Sequence, residues 1–352
     1  MHLFAPLALA GVTLRNRVVV SPMCQYSAND GHPTSWHLVH LGSRAVGGAA
    51  LVIAEATAVT AEGRISPGDS GLWLESQAEA WAPIARFITE QGAVAGIQLA
   101  HAGRKASTDA PWNGGASLTP EQGGWPIVAP SSVPFDASAM VPTAMTLAEI
   151  DATVAAFESA ARRALDAGFG VIEIHAAHGY LLHEFLSPLA NQRTDEYGGS
   201  FENRCRFLRR VVAGVRHAMP AKVPLLLRIS ATDWSDGGWD LEQSCELVAP
   251  LGAEGISLVD VSSGGTLPGV QIPVGSGYQT VFAAEIRRRT GIPTGAVGMI
   301  TSPEQADHII RSGQADLVFF AREMLRDPYF TRRAARALGV KLEAPPPYRR
   351  AW

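Results

Sequence analysis

The chain has 352 residues, of which 47% are hydrophobic and 18% charged, with a formal net charge of -4, the balance of a folded globular protein rather than a disordered one. Mild acidity, with no basic stripe interleaved with aromatics, excludes a general pull toward polyanions, so nucleic acid is not expected as a partner. Cys24, Cys205 and Cys245 are odd in number, far apart and never C-x-x-C, which argues against a disulfide framework or a cysteine-held cluster and fits a reducing cytoplasm.

The apolar opening at residues 3–10 ends in Ala-x-Ala but lacks a basic leader, contains Pro6 and is too short to span a bilayer. It reads as mature sequence with no membrane role. Val18-Val-Val20 is the first strand, followed by Ser21-Pro22-Met23-Cys24-Gln25-Tyr26, and residues 51–53 are the second. A recurring unit follows: an amphipathic helix, a glycine at its end, then a short apolar run. Gln91-Gly92 precedes a strand at 94–99, Ala167-Gly168 one at 171–175, and Gly252 with Gly255 one at 256–261. Thr290-Gly291 precedes 292–297 and Ser312-Gly313 precedes 316–321, with 225–227 as a further strand. Glycine suits the left-handed position closing a helix, and continuous apolar runs suit strands buried on both faces. Thr146 and Glu149 form a capping box for a helix reaching about Ala167, and Ser302-Pro303 opens another.

About eight strands alternating with helices predict an α/β fold, a (β/α)8 TIM barrel occupying 1–352 as one domain. A doubly wound sheet is the alternative, disfavoured because no G-x-G-x-x-G follows the first strand. The Gly-, Pro- and Ser-rich interval at about 101–145, carrying Arg104, Lys105, Trp112 and Trp125, is too long for a simple connection and is expected to be an ordered lid inserted after the third strand. A loose excursion is the other reading. On its residues alone the tail at about 340–352 would fray.

Reactive groups of such barrels sit where the strands end. His175-Ala-Ala-His178-Gly-Tyr180 puts two imidazoles and a phenol at one strand end. Three readings stay open: metal ligands of a barrel hydrolase, although no H-E-x-x-H supports it; satisfied interior donors; or a pair of N–H donors polarising a carbonyl or nitro oxygen while Tyr180 supplies a proton.

This segment, with Phe185-Leu-Ser-Pro-Leu-Ala-Asn-Gln-Arg-Thr-Asp-Glu-Tyr-Gly-Gly-Ser-Phe-Glu-Asn-Arg204, resembles the Old Yellow Enzyme signature, and Ser21 to Tyr26 resembles its thermophilic-like or xenobiotic-reductase subclass. The likeness runs from the N-terminal Leu3-Phe-Ala-Pro-Leu onward. It implies an NADPH dehydrogenase-type, FMN-dependent ene-reductase that takes hydride from NADPH or NADH by ping-pong exchange and passes it to an enone, enal, maleimide or nitroalkene. A catalytically idle flavin-binding scaffold is the non-enzymatic rival.

By the same resemblance His175 and His178 would hold the acceptor oxygen and Tyr180 would protonate the carbon. FMN would be met by Ser21, Pro22, Met23, Cys24, Ala56, Gln98 and Arg228, with Gly298, Ala321 and Arg322 at its phosphate. On residues alone Gln98 could be an interior amide, Arg228 would need a carboxylate partner, Ala56 would be filler and Cys24 an inert thiol. Tyr26 would line the substrate pocket. The chain would form a homodimer or homotetramer in which Arg350, with Arg349 close behind, enters the neighbouring active site. Val297 stands where some xenobiotic reductases carry tryptophan.

Overall fold

The computed structural model describes residues 2–352. Eight runs pair in parallel into one closed barrel: β1 (Val18–Val20), β2 (Leu51–Ala58), β3 (Val94–Ala100), β4 (Val171–Ala176), β5 (Leu225–Ser230), β6 (Ile256–Ser262), β7 (Thr294–Ala296) and β8 (Leu317–Phe320), with β8 pairing back onto β1. The helices are α1 (Ser35–Val46), α2 (Glu75–Glu90), α3 (Leu147–Asp166), α4 (Leu181–Leu186), α5 (Phe201–Ala218), α6 (Leu241–Leu251), α7 (Thr280–Thr290), α8 (Pro303–Arg311), α9 (Arg322–Arg326) and α10 (Phe330–Ala337). The (β/α)8 expectation is met, and the doubly wound alternative is not.

The period of two along each strand divides the barrel into two cores. Val19, Leu51, Ile53, Val171, Leu226, Leu258, Leu317 and Phe319 point inward and form one cluster with Leu9 and Leu14 of a short hairpin, Leu7–Leu9 with Val12–Leu14. Val18, Val20, Val52, Leu225, Leu227, Val318 and Phe320 belong to the cluster shared with the helices. Continuing the inward phase up the strands gives Gln98 on β3, Glu173 and His175 on β4, Arg228 and Ser230 on β5, and Asp260 and Ser262 on β6. The barrel interior is therefore apolar at its base and polar toward its mouth.

Helix signals read from the sequence recur in the fold. Thr146 Oγ1 accepts from Glu149 N at 3.2 Å while Glu149 accepts from Thr146 N at 2.7 Å, the reciprocal capping box of α3. Gly92, Gly168, Gly291 and Gly313 all have positive φ, as expected; of the pair after α6, Gly252 stays right-handed and Gly255 takes φ 102°. Strand lengths differ at both ends of the barrel. β2 runs to Ala58, well past residue 53, because residues beyond the apolar run keep pairing with β3. β7 begins only at Thr294, since Pro293 has no N–H for the ladder.

The interval between β3 and α3 holds three single-turn helices, Gly103–Lys105, Pro111–Asn113 and Pro120–Gln122, and a two-residue pairing of Val128–Ala129 with Thr143–Ala144. Ala102, Ala106 and Ile127 bury a small cluster of their own, against which Ile65, Met140 and Tyr180 pack. Arg104 pins the segment, its Nη2 donating to Thr266 O at 2.6 Å and its amide to Glu184 Oε1 at 2.9 Å. The tail ends on Trp352, whose ring lies against Tyr329 and Tyr348 and 4.1 Å beneath the Arg332 guanidinium. Among the described residues no helix is long and apolar enough to cross a membrane.

Candidate active site

Glu173 and His175 alternate on the inner face of β4, and His175 lies in register with Arg228, which in turn lies in register with Asp260. Beyond β4 the chain turns through two residues of positive φ, His178 at 60° and Gly179 at 71°. A histidine there carries strain that neighbours must hold. Three bonds do so: His178 N to Ser230 Oγ at 2.9 Å, Lys105 Nζ to His178 O at 2.9 Å, and Gly179 N to His183 Nδ1 at 2.9 Å. The loop after β6 presses against this turn so closely that a Cβ on Gly179 would meet Gly265 O at 2.1 Å, and one on Gly265 would meet His178 Cα at 2.5 Å.

Because His183 Nδ1 accepts a backbone N–H, its proton sits on Nε2, 3.1 Å from Asp233 Oδ1. Asp233 also accepts from Thr266 Oγ1 at 2.7 Å, Ser187 Oγ at 2.6 Å and Trp239 N at 2.8 Å. Burial pushes this carboxyl up, but His183 and the hydroxyl donors outweigh it and hold it below the usual carboxylate range. The dyad is a tether for the turn that carries Tyr180.

The three rings meet as the sequence suggests. His175 lies 5.2 Å from His178 and 5.2 Å from Tyr180, centre to centre, edge to face in both cases. Burial, reinforced by the Arg228 charge, pushes both imidazoles well below their ordinary value. Burial also raises the Tyr180 phenol, with Cys24, Tyr26 and Asp69 adding to the effect. At neutral pH the site therefore presents two uncharged imidazoles and an intact phenol. His101, directly after β3, serves elsewhere: its Nδ1 accepts from Gly103 N at 3.1 Å.

The segment after β1 is shaped from below by a buried pair. His37 Nδ1 accepts from Thr34 N at 2.9 Å, so its Nε2–H donates to Glu55 Oε1 at 2.8 Å, and the other Glu55 oxygen accepts from Gln25 N. The β2–β3 register shifts between Ala54 and Ala56, which brings Ala56 rather than Glu55 opposite the inward-facing Gln98 and leaves Glu55 to His37 of α1. Ser21 donates its N–H to Phe320 O at 3.0 Å, while its buried hydroxyl has no partner. Pro22 follows it, and Met23 offers its carbonyl to Gln25 Nε2 at 2.8 Å. Cys24 is half-buried, and burial followed by Asp69 and Glu55 pushes its thiol well up, leaving a neutral group rather than a thiolate nucleophile. Tyr26, at φ 49°, sets its ring 5.6 Å from Trp112 of the inserted segment.

Deeper in the barrel Gln98 Nε2 donates to Glu173 Oε1 at 2.8 Å, and Arg228 pairs with Asp260 at 2.9 Å. Arg228 thus has the carboxylate partner it would require even without a flavin, and its presence alone does not argue for one. The pairing is incomplete, however: Arg228 Nε lacks hydrogen-bond alignment, and Glu173 Oε2 and both Asp260 oxygens are buried without a bond. Burial and Asp260 push the Glu173 carboxyl up. Glu173, Asp260 and Asp69 were not singled out from the sequence; for the first two, an acid inside an otherwise apolar strand, as in Val171-Ile-Glu-Ile and Ile256-Ser-Leu-Val-Asp, was the available signal.

At the ends of β7 and β8 a cleft of about 290 Å³ is lined by Gly298, Ala321 and Arg322 together with Tyr278, Gln279 and Met299. Gly298 has φ 119°, and a Cβ there would meet Gln279 Nε2 at 2.8 Å. Arg350 is exposed on the tail, outside these groups. Its side chain is not brought to the His175–His178–Tyr180 cluster by its own subunit.

A parallel barrel whose mouth combines a histidine pair, a phenol, an interior glutamine and arginine, and an arginine-lined cleft at the last two strands defines a cofactor-dependent barrel enzyme. The NADH:flavin oxidoreductase / NADH oxidase family model matches residues 2–340, and the chain belongs to that family. It is 49% identical to the NADPH dehydrogenase of Geobacillus thermodenitrificans over 99% of this chain and 98% of that protein. Among solved structures, an old yellow enzyme homologue from Zymomonas mobilis superposes with a TM-score of 0.81 at 29% identity, covering 97% of this chain and 94% of the other. A 2-naphthoyl-CoA reductase gives 0.87 at 25% identity; the match covers 96% of this chain but only 52% of that protein. The protein is a flavin oxidoreductase using FMN and a reduced nicotinamide cofactor.

The residues fit FMN. Unpartnered Ser21 Oγ, the incompletely bonded Arg228 and the Gln98 amide stand at the mouth, and the Gly298–Arg322 cleft offers positive charge and room for a phosphate against backbone.

Proposed function

We propose that the protein is an ene-reductase that reduces a carbon–carbon double bond activated by a carbonyl or nitro group, as in enones, enals, maleimides and nitroalkenes. The observation that carries this reading is the cluster at the barrel mouth in which the His178 and Tyr180 rings each lie 5.2 Å from the His175 ring. FMN, when bound, supplies the two-electron chemistry that links NADPH or NADH to the alkene. Ser21, Pro22, Met23, Cys24, Ala56, Gln98 and Arg228 would surround its ring, with Gly298, Ala321 and Arg322 at the phosphate.

His175 and His178 would donate to the acceptor oxygen, where negative charge develops. Neutral imidazoles suit the task because Arg228 and Lys105 nearby already disfavour a further cation. Tyr180 would hand its phenolic proton to the α-carbon; a weakly acidic phenol suffices because protonating an enolate is downhill. Tyr26, edge-on to Trp112, would bound the substrate space. One mouth serving both reductant and alkene requires that they alternate, hence ping-pong kinetics. The enzyme would work in the cytoplasm, where its three free thiols stay reduced, as a homodimer or homotetramer with Arg350 completing a neighbour's site.

The hydrolase alternative lacks a third ligand: among the described residues no group of three or more His, Cys, Asp or Glu is arranged to hold a metal ion. Anaerobic mixing tests the proposal. NADPH should bleach the flavin, and 2-cyclohexen-1-one should restore the colour; bleaching without any recovery across a panel of enones and nitroalkenes would refute it.

A further inference from the structure

We propose that Ser262 is a positioning residue that fixes the tautomer of His178, so that this histidine carries its proton on Nδ1 and offers an N–H donor at the barrel mouth. The inference rests on the reading of His178 as a donor to the acceptor oxygen, and it concerns which nitrogen does the donating.

Ser262 closes the inner face of β6, and its Oγ lies 2.7 Å from His178 Nε2. A neutral imidazole has one N–H, so the direction of this bond decides what the other nitrogen can do. If Nε2–H donated to Ser262, Nδ1 would be left with a lone pair and could only repel a developing oxyanion. If Ser262 donates to Nε2, Nδ1 carries the proton.

The surroundings choose the second arrangement. Among the described residues the only other acceptor within reach of the Ser262 hydroxyl is Gln279 Oε1, at 3.4 Å, beyond good hydrogen-bond length. That oxygen already accepts from Ser263 Oγ at 2.6 Å. Gln279 cannot present its nitrogen instead, because Nε2 donates to the Val297 carbonyl at 3.1 Å. The amide is thereby oriented, Ser263 takes its oxygen, and the Ser262 proton is left for His178 Nε2.

Protonating His178 on both nitrogens would make the question moot, but the charges around it oppose that. Arg228 on β5 and Lys105 from the inserted segment are the cations that weigh on His178, with the imidazoles of His175 and His183 beside them. The backbone of the turn is fixed independently, by the His178 N bond to Ser230 Oγ and the Lys105 bond to the His178 carbonyl. Ser262 therefore acts on the proton rather than on the fold of the turn.

The experiment uses FMN-loaded protein labelled with 15N-histidine, with His178 assigned by comparison with His178→Asn. Two-bond 1H–15N correlations report which ring nitrogen is protonated. Wild type and Ser262→Thr should show the Nδ1–H form, and Ser262→Ala should show the Nε2–H form or a mixture. In parallel, kcat/KM for 2-cyclohexen-1-one should fall about tenfold in Ser262→Ala, the worth of one hydrogen bond to charge, with FMN occupancy unchanged and activity restored in Ser262→Thr. Nε2–H in the wild type, or Nδ1–H persisting in Ser262→Ala, overturns the assignment. A tautomer that moves as stated while the kinetics stay constant supports the assignment and instead refutes His178 as the oxygen donor.

Discussion

Replacing Tyr180 by Phe is the sharpest test of the proposed division of labour, because the structure makes the change nearly silent everywhere except at the reacting proton. Among the described residues the phenolic oxygen has no hydrogen-bond partner, so no buried partner is stranded by its loss. The ring's neighbours remain: His175 edge-on at 5.2 Å and Lys105 Nζ over the face at 4.9 Å. Stability should change by no more than roughly 0.5 kcal/mol, the size of a substitution that creates neither cavity nor orphan. A positioned proton donor contributes about 10²- to 10⁴-fold, or roughly 3–5 kcal/mol of barrel-mouth catalysis at about 1.4 kcal/mol per decade. Stopped-flow spectroscopy should therefore find the alkene half-reaction slowed by at least about 10²-fold and flavin bleaching by NADPH left near its wild-type rate. Equal slowing of both halves, or unimpaired alkene reduction, would remove Tyr180 from the proton-donor role.

Asp233→Ala strands four buried donors, those of His183, Thr266, Ser187 and Trp239, and should cost about 4 kcal/mol or more in urea unfolding while disordering the turn that carries His178. The Asp233 carboxyl is held below its unfolded value, so its stabilisation is complete above about pH 4 and is lost as pH falls further; the stability gap between wild type and Asp233→Asn should close in that acidic window. Asp69 behaves oppositely. Burial and then Glu55 raise it to about 7, so the folded protein keeps a proton that the unfolded chain releases, and stability falls as pH rises from about 4 to about 7. Asp69→Asn should flatten that slope in pH-dependent unfolding curves. Gly265→Ala places a Cβ 2.5 Å from His178 Cα at φ 97° and should depress alkene reduction at least tenfold by shifting the histidine, with FMN titration showing much less change. Glu173→Leu removes the acceptor that orients Gln98 and should weaken FMN binding in ultrafiltration assays, whereas Glu173→Gln, which can still accept from Gln98 Nε2, should bind near normally.

Much of the architecture was legible because its signals are local. A glycine after α2, α3, α6, α7 and α8, a capping box at Thr146, and apolar runs of strand length each depend on neighbours a few residues away, and together they determined the alternation that closes into a barrel. His175, His178 and Tyr180 were legible for the same reason, since the last stands five positions after the first. The resemblance to a flavin enzyme family, carried by one long motif, determined the chemistry to expect.

What remained to the tertiary structure was everything set by residues distant in the chain meeting on the inner face of the barrel. The phase of each strand decided that Glu173, Arg228 and Asp260 all face the barrel interior, and the register shift in β2 decided that Ala56 meets Gln98 while Glu55 is left to His37 and the Cys24–Tyr26 segment. Closure brought Ser262 to His178 across 84 positions of sequence. Sequence patterns specify which face of an element is apolar, but a proton's location depends on which donors and acceptors converge on it, and that convergence exists only once the barrel is closed.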